Sequence, residues 1–251
     1  MKDLCAIYIA RKQEGIESWQ RFARSLAGSF GYDLCIVYKG FANWHEQQEW
    51  HHHAPANAIA LELPDDGFDL TAYRRAAEVL LHKYVICFNS HTEAVCDEWP
   101  QIILKNLERG HKLVGAFGSY ESFQKGVLRR LIYPSFPNPH IRTNAFAMPR
   151  ELLLELFPKN TLLTKVQCHL LESGYNGLTR QIEALANRVY EAPVTVDRFW
   201  NVRRWHQWWF CNMFRNQYQG DLMFTDNQTR FFDSLSVQGK GLLERQTWGK
   251  P

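Results

Sequence analysis

Residues 82–93, "HKYVICFNSHTE", set an apolar run from Tyr84 to Phe88 directly against three polar residues, Asn89, Ser90 and His91. A short run rich in aromatic and β-branched side chains reads as a strand buried on both faces, the kind found inside parallel sheets. In open α/β sheets, ligands bind in the crevice outside the strand carboxyl ends. Polar residues at such an end are therefore either an ordinary loop after a core strand or part of a binding site. The neighbouring sequence separates the two.

Upstream, "CAIYIAR" (5–11) and "DLCIVYKG" (33–40) read as buried strands. Between them Ile16, Trp19, Phe22 and Leu26 recur at helical spacing. This is a βαβ opening and predicts a parallel sheet. "NAIALELPDDG" supplies a third strand closed by an acidic turn. "FDLTAYRRAAEVLLHK" then reads as a helix capped by Asp69, with Leu70, Tyr73, Ala77 and Leu80 or Leu81 on one face. After the strand at 84–88, "DEWPQIILKNLERG" predicts a helix and "HKLVGAFGS" (111–119) a fifth strand. The alternation predicts an α/β fold, a Rossmann-type mostly parallel sheet flanked by helices.

Beyond residue 120 the pattern changes. A proline-rich stretch leads into "RTNAFAM", which reads as a strand near the sheet edge. Short helical pieces, "RELLLELF" and "VQCHLLESG", are followed by a longer one, "LTRQIEALANRVYE". Two regions are expected: 1–120 as a nucleotide-binding half, and 121–251 as a smaller C-terminal region packed on the same domain.

The totals exclude several classes. With 45% hydrophobic and 22% charged residues the chain is an ordinary globular one. A net charge of +3, with scattered basic residues, does not suit a nucleic-acid binder. The six cysteines show no CxxC spacing, so structural zinc and a disulfide framework are not expected. No leader-like or membrane-spanning run is read, which points to the cytoplasm. The aromatic, basic "FWNVRRWHQWWF" has two readings, core packing or peripheral anchoring at a membrane surface. "HHH" at 51–53, with His45, reads as a solvated loop rather than a metal site.

The segment "DDGFDLTAYRRAAEVLLHKYVICFNSH" resembles the GT-A nucleotide-sugar glycosyltransferases, especially family-2-like bacterial enzymes. Those carry a Gly turn, a helix with Ala-Arg-Asn, and a strand ending in Asp-x-Asp. The blocks "GFDLTAYRRA", "CFNSH", "LVGAFGSYES", "FPNPHIRTNAF", "ESGYNGLTRQ" and "DNQT" are similar to uncharacterised glycosyltransferase-like domains of bacterial surface-polysaccharide and rhamnan-synthesis gene clusters.

The resemblance implies a GT-A-like fold with an acceptor-side C-terminal region. It also implies transfer of a sugar, with inversion, from a nucleotide-sugar to a saccharide or lipid-linked acceptor. Arg11, Lys39, Asp69, Arg74, Asn89, Ser90 and His91 fall where such enzymes hold the donor, with Arg75 an alternative to Arg74. Glu172 would be the general base that deprotonates the acceptor, with Asp226 next in line. Arg142, Thr143, Asn144 and Arg180 suit sugar hydroxyls, Arg180 alternatively the diphosphate, with Asp226 as its partner.

The strand end departs from the family pattern in lacking an aspartate. Mg²⁺ or Mn²⁺ is then either held through His91 or Glu93, or replaced by protein cations. No organic cofactor is implied. The missing carboxylates keep a second class open, a non-catalytic saccharide- or nucleotide-binding module on the same fold. A nucleotidyltransferase shares the βαβ opening, but "ARKQEGIES" lacks its Gly-rich basic loop.

Overall fold

The computed structural model describes residues 2–123, 128–185, 194–196 and 222–247. The chain opens with strand β1 (Leu4–Arg11), helix α1 (Ile16–Ser25), β2 (Asp33–Lys39), α2 (Trp44–His51), β3 (Ile59–Leu63), α3 (Asp69–Val79) and β4 (Tyr84–Phe88). A short β5 (Glu93–Ala94), α4 (Trp99–Glu108), β6 (Leu113–Gly115), β7 (Gly118–Ser119), β8 (His140–Ile141) and β9 (Ala145–Pro149) follow. The described remainder is α5 (Arg150–Leu156), α6 (Lys165–Ser173), α7 (Leu178–Ala184), β10 (Val194–Val196), β11 (Phe224–Thr225), α8 (Asn227–Ser234) and α9 (Val237–Thr247).

The central sheet has seven strands in the order β10-β6-β9-β4-β1-β2-β3, parallel except for β9. β1 pairs with β2 on one side and β4 on the other, and its residues 4–10 are all buried. Because side chains alternate across a strand, β1 feeds two cores. Leu4, Ala6 and Tyr8 join Ile86 and Phe88 under α1, α4 and α8, through Trp19, Phe22, Trp99, Ile103 and Phe232. Cys5, Ile7 and Ile9 join Val85 and Cys87 under α3 and α5 to α7, through Tyr73, Ala76, Leu153, Leu171 and Ile182. The uninterrupted apolar runs thus reflect burial on both faces.

Several expectations change. "RTNAFAM" is β9, antiparallel and inserted between β4 and β6, well inside the sheet rather than near its edge. An antiparallel pair is slightly more stable per residue than a parallel one, and β9 is apolar on both faces, Ala145 and Ala147 on one and Phe146 and Met148 on the other. The fifth strand is broken into β6 and β7. His45 and the first histidine of "HHH" lie on α2 rather than in a loop. Asn43 caps that helix by accepting from the Glu46 amide, and Trp50 anchors it to the core. Asp69 is the first helical residue of α3 and not its cap, since Phe68 holds that position without a side-chain hydrogen bond. The aromatic, basic segment 199–210 lies outside the described residues. Among those described, no helix is long and apolar enough to cross a membrane.

Phe88 sits at the centre of a ring cluster, with ring centroids 5.4 Å from Phe22, 5.5 Å from Trp99 and 4.9 Å from Phe224. It joins α1, α4 and the late β11 segment to one strand. Phe88→Ala is expected to lower unfolding free energy by about 3–5 kcal/mol, the cost of an unfilled aromatic cavity, as measured by urea denaturation.

Candidate functional site

β1, β2 and β3 end side by side, and the last residues of β1 and β2 meet the turn after β3 in one ion cluster. The Arg11 guanidinium donates through both Nε and Nη2 to Asp65, each at 3.0 Å. Lys39 Nζ lies 3.2 Å from the same carboxylate and donates to the Gly67 carbonyl at 2.5 Å. Burial alone would raise the Asp65 pKa, but the two cations outweigh it and hold the carboxyl below its ordinary value. The turn needs glycine at 67, where φ is +68° and an added Cβ would stand 2.9 Å from the Leu162 carbonyl. Lys39 is only 2% exposed, so it organises the acidic turn, while Arg11 keeps a partly open face.

Asp69, at the start of α3, is half-buried and lies within the fields of Lys39, Arg11, Glu14 and His91. Burial pushes its carboxyl up from the ordinary aspartate range against the pull of those cations. Of the residues ending β4, only His91 faces this group, with Nε2 3.2 Å from Glu14. Ser90 is buried and donates to the Ile9 carbonyl at 2.8 Å. Asn89 Oδ1 accepts from the His91 amide at 3.0 Å and from the Thr92 hydroxyl at 2.9 Å, which closes the turn. Asn89 and Ser90 therefore shape the strand end instead of reaching for a ligand.

Two cations that the sequence reading missed stand over this end. Arg230 on α8 donates to the His91 carbonyl at 3.0 Å and pairs with Glu93 at 3.4 Å. Its pKa is lowered by burial and then by the like charge of Arg21 on α1. Both arginines also act on Tyr8, whose hydroxyl bonds to the Ser90 carbonyl. A basic residue on each of two sequence-distant helices carries no local signal, so only the packing reveals the pair.

Arg74 is corrected outright. Its Nη1 donates to the carbonyls of Leu154 at 2.5 Å and Phe157 at 2.7 Å, its Nε lies 3.0 Å from Glu78, and the side chain is buried. It fastens α3 to the end of α5 and does not serve a donor. Arg75 forks onto Asp66 at 2.6 and 2.8 Å and also reaches Thr161.

The second constellation comes from the C-terminal half. Glu172, 6% exposed near the end of α6, accepts at Oε2 from the Thr143 amide (2.7 Å) and hydroxyl (2.6 Å). Arg142 Nη1 lies 3.5 Å from Oε1, and His140 Nε2 3.9 Å. Burial would raise the Glu172 pKa, but Arg142 and the two Thr143 hydrogen bonds hold it below the ordinary value. His140 would add to that pull only when protonated, and burial holds its pKa down at about 4.

Asn144 donates from its side chain to Asp226 and from its carbonyl accepts the Asn89 amide at 3.0 Å. Asp226 Oδ1 caps α8 through the Gln228 and Thr229 amides, at 3.0 and 2.9 Å. Asp226 is thus a buried cap that ties α8 to the site; it partners neither Arg180 nor an open acceptor position. Arg180 on α7 donates instead to Asn138 at 3.1 Å.

The two constellations share one neighbour on α6. Cys168, one turn before Glu172 on α6, has its thiol raised to about 11 by burial and then by the carboxylates of both Asp69 and Glu172, against Lys39. Of the predicted residues, Arg11, Lys39, Asp69 and His91 gather on one side, with Arg142, Thr143, Asn144 and Glu172 on the other.

The strand end does not fit a divalent cation. Mg²⁺-class ions take oxygen ligands, carboxylate above all. Here Asn89 Oδ1 already accepts two hydrogen bonds, Ser90 is turned to Ile9, and Glu93 is paired with Arg230. Among the described residues no group of three His, Cys, Asp or Glu side chains is placed to hold a metal ion.

A buried neutral imidazole also fixes a stability window. The unfolded chain protonates His140 near the ordinary histidine value of 6.5, whereas the folded chain waits until about 4. This contribution is fully present above pH 6.5 and is lost as pH falls toward 4. Between pH 7 and pH 5 it should remove on the order of 2 kcal/mol. Urea unfolding of wild type and His140→Asn at the two pH values checks this; the variant should show the smaller acid loss.

No family model matches the sequence, and no curated protein matches it. Solved structures with a similar arrangement include 4-diphosphocytidyl-2C-methyl-D-erythritol synthase from Anaerococcus prevotii, with a TM-score of 0.48 and 11% identity over 84% of this chain and 95% of that one. S. aureus TarS 1–349 matches with a TM-score of 0.45 and 13% identity, over 68% of this chain and 54% of TarS. The same TarS fragment in complex with UDP-GlcNAc matches at 0.38 and 15% identity, over 51% of this chain and 37% of that one. This chain therefore spans about half the length of the TarS fragment.

Proposed function

We propose that this chain is a glycosyltransferase that moves a sugar from a nucleotide-sugar donor to a saccharide or lipid-linked acceptor, with inversion, in bacterial surface-polysaccharide synthesis. One observation carries the reading. Arg11, His91 and Arg230 gather at the carboxyl ends of β1 and β4, with Arg21 close enough to act on Arg230 and Tyr8, and the carboxylate of Glu172 acts on the same Cys168 thiol as Asp69 of that group. That combination suits a reaction in which a diphosphate leaves while a hydroxyl loses its proton.

In this reading the donor lies across the strand ends, with Asp69 toward ribose or base and the cations against the diphosphate. Glu172 takes the acceptor's hydroxyl proton as that oxygen bonds to the anomeric carbon. The bond from that carbon to the diphosphate breaks, and its electron pair leaves with the nucleoside diphosphate. Guanidinium groups suit this charge because they donate several fixed hydrogen bonds. Arg142, Asn144 and Arg180 bound the acceptor side. The burial of Glu172 and its contacts with Thr143 favour the competing reading, a binding module in which that carboxylate only braces the fold.

The test is a panel of UDP-, GDP- and dTDP-sugars incubated with saccharide acceptors, reading release of nucleoside diphosphate. Because the strand end offers no free carboxylate, the rate should be unchanged by EDTA; loss in EDTA with rescue by Mn²⁺ overturns the metal-free account. Release of pyrophosphate from a nucleoside triphosphate instead would mark a nucleotidyltransferase.

Glu172→Gln keeps size and the contacts with Thr143 while deleting basicity. Transfer should fall by about 10²–10⁴-fold with donor affinity unchanged. Full transfer in this variant reduces Glu172 to a brace, as would donor binding without turnover in the wild type.

A further inference from the structure

The two oxygens of Glu172 are used unequally. Oε2 accepts both Thr143 donors, while among the described residues Oε1 has only Arg142 at 3.5 Å and His140 at 3.9 Å. His140 is 1% exposed, and its Nδ1 lies 2.7 Å from the Asn138 carbonyl. A carbonyl can only accept, so Nδ1 carries the proton and Nε2 a lone pair. That buried Nε2 has no hydrogen-bond partner among the described residues. Two acceptors, a carboxylate oxygen and an imidazole nitrogen, thus face each other across a gap that neither bridges while Glu172 is ionised.

The geometry points to His140 as a positioning residue that receives the proton-bearing form of Glu172. The inference rests on the reading of Glu172 as general base. When Glu172 takes the acceptor's proton, Oε2 is already saturated by Thr143, so the proton goes to Oε1. The new Oε1–H turns toward His140 Nε2 and donates to it, closing the gap by a small rotation of the carboxyl group. No further bond is made or broken, and the imidazole stays neutral. His140 therefore stabilises the product of proton transfer and not the starting carboxylate, which makes Glu172 a stronger base than its cationic surroundings allow.

Those surroundings are Arg142, which also sees Glu121 and Asp226, together with Arg180 on α7 and, on the other side of Glu172, Tyr133 and Cys168. Arg142 and Arg180 both oppose a charged His140, which keeps its lone pair available at neutral pH.

The test uses two variants of the full chain. In His140→Asn the side-chain amide preserves the donor to Asn138 and deletes the Nε2 acceptor. Because the two groups titrate as a coupled pair, the quantity read is the apparent pKa of the Glu172 carboxyl, followed by ¹³C NMR. It should fall by about one unit in the variant, the shift that one net hydrogen bond supports. Transfer should slow about tenfold, with the acid limb of the pH profile moving down by the same interval. An unmoved Glu172 titration overturns the inference.

Glu172→Gln supplies the second measurement, since its amide N–H imitates the protonated carboxyl. In its ¹⁵N spectrum at neutral pH, His140 Nε2 should move upfield relative to wild type while Nδ1 keeps its proton. An unchanged Nε2 resonance, or an Nε2 already protonated in the wild type, also overturns the inference. Both spectroscopic readouts are independent of turnover, so a protein that uses no nucleotide sugar would sink the proposed function while still deciding what His140 does for Glu172.

Discussion

One antiparallel strand in an otherwise parallel sheet determines which residues can meet. Parallel strands deliver their carboxyl ends to one edge, and an antiparallel neighbour delivers its amino end to that same edge. β9 pairs with β4 so that Ala145 stands opposite Phe88. The residues just before β9, Arg142 to Asn144, are thereby carried to the place where β4 releases Asn89 to His91. The hydrogen bond from the Asn89 amide to the Asn144 carbonyl closes the joint. From it hang Asp226 and α8 through the Asn144 side chain, and α6 through Thr143 and Glu172.

This joint explains why so many polar groups at this edge are already spoken for. Asn89, Ser90, Thr143, Asn144 and Asp226 spend hydrogen bonds on bringing distant segments to one edge. Ser90 and Asp226 are buried and the other three half-buried, and polar groups withdrawn from water need partners. Residues with side chains left partly open are those anchored from the outside, namely Arg11 by Asp65, His91 by Glu14, and Arg230 by Glu93. The same division separates the two oxygens of Glu172, one fixed by Thr143 and one left for chemistry.

Charge follows a similar logic. Lys39 is buried beside Asp65 and acts on Asp69, but the strand-end lysine that the chain pattern singles out is not the main source of positive charge around Tyr8 and His91. That charge comes from Arg11, together with Arg21 and Arg230 on two helices that share the aromatic core on one face of the sheet. Guanidinium groups tolerate such close approach because they remain charged where an ammonium would lose its proton.

The sequence by itself determined the sheet and most of its helices. Runs such as 5–11 and 84–88 are apolar without alternation, which only burial on both faces explains, and Trp19, Phe22 and Tyr73 fall at helical spacing because one side of each helix must face that sheet. It also marked Arg11 and His91, since a polar residue ending a buried run is locally conspicuous, whereas Asp69 was marked at a helix start and Glu172 only through the family resemblance of its block. What only the tertiary structure decided was the partner of each. Arg74 and Arg75 are adjacent and chemically alike, yet one is buried against α5 carbonyls and the other is half-buried beside Asp66. The inward place of β9, the Arg21–Arg230 pair and the His140–Glu172 gap depend on contacts between residues tens to hundreds of positions apart. A hydrophobic period records which face of a segment is buried, but it carries no information about which distant segment will cover that face.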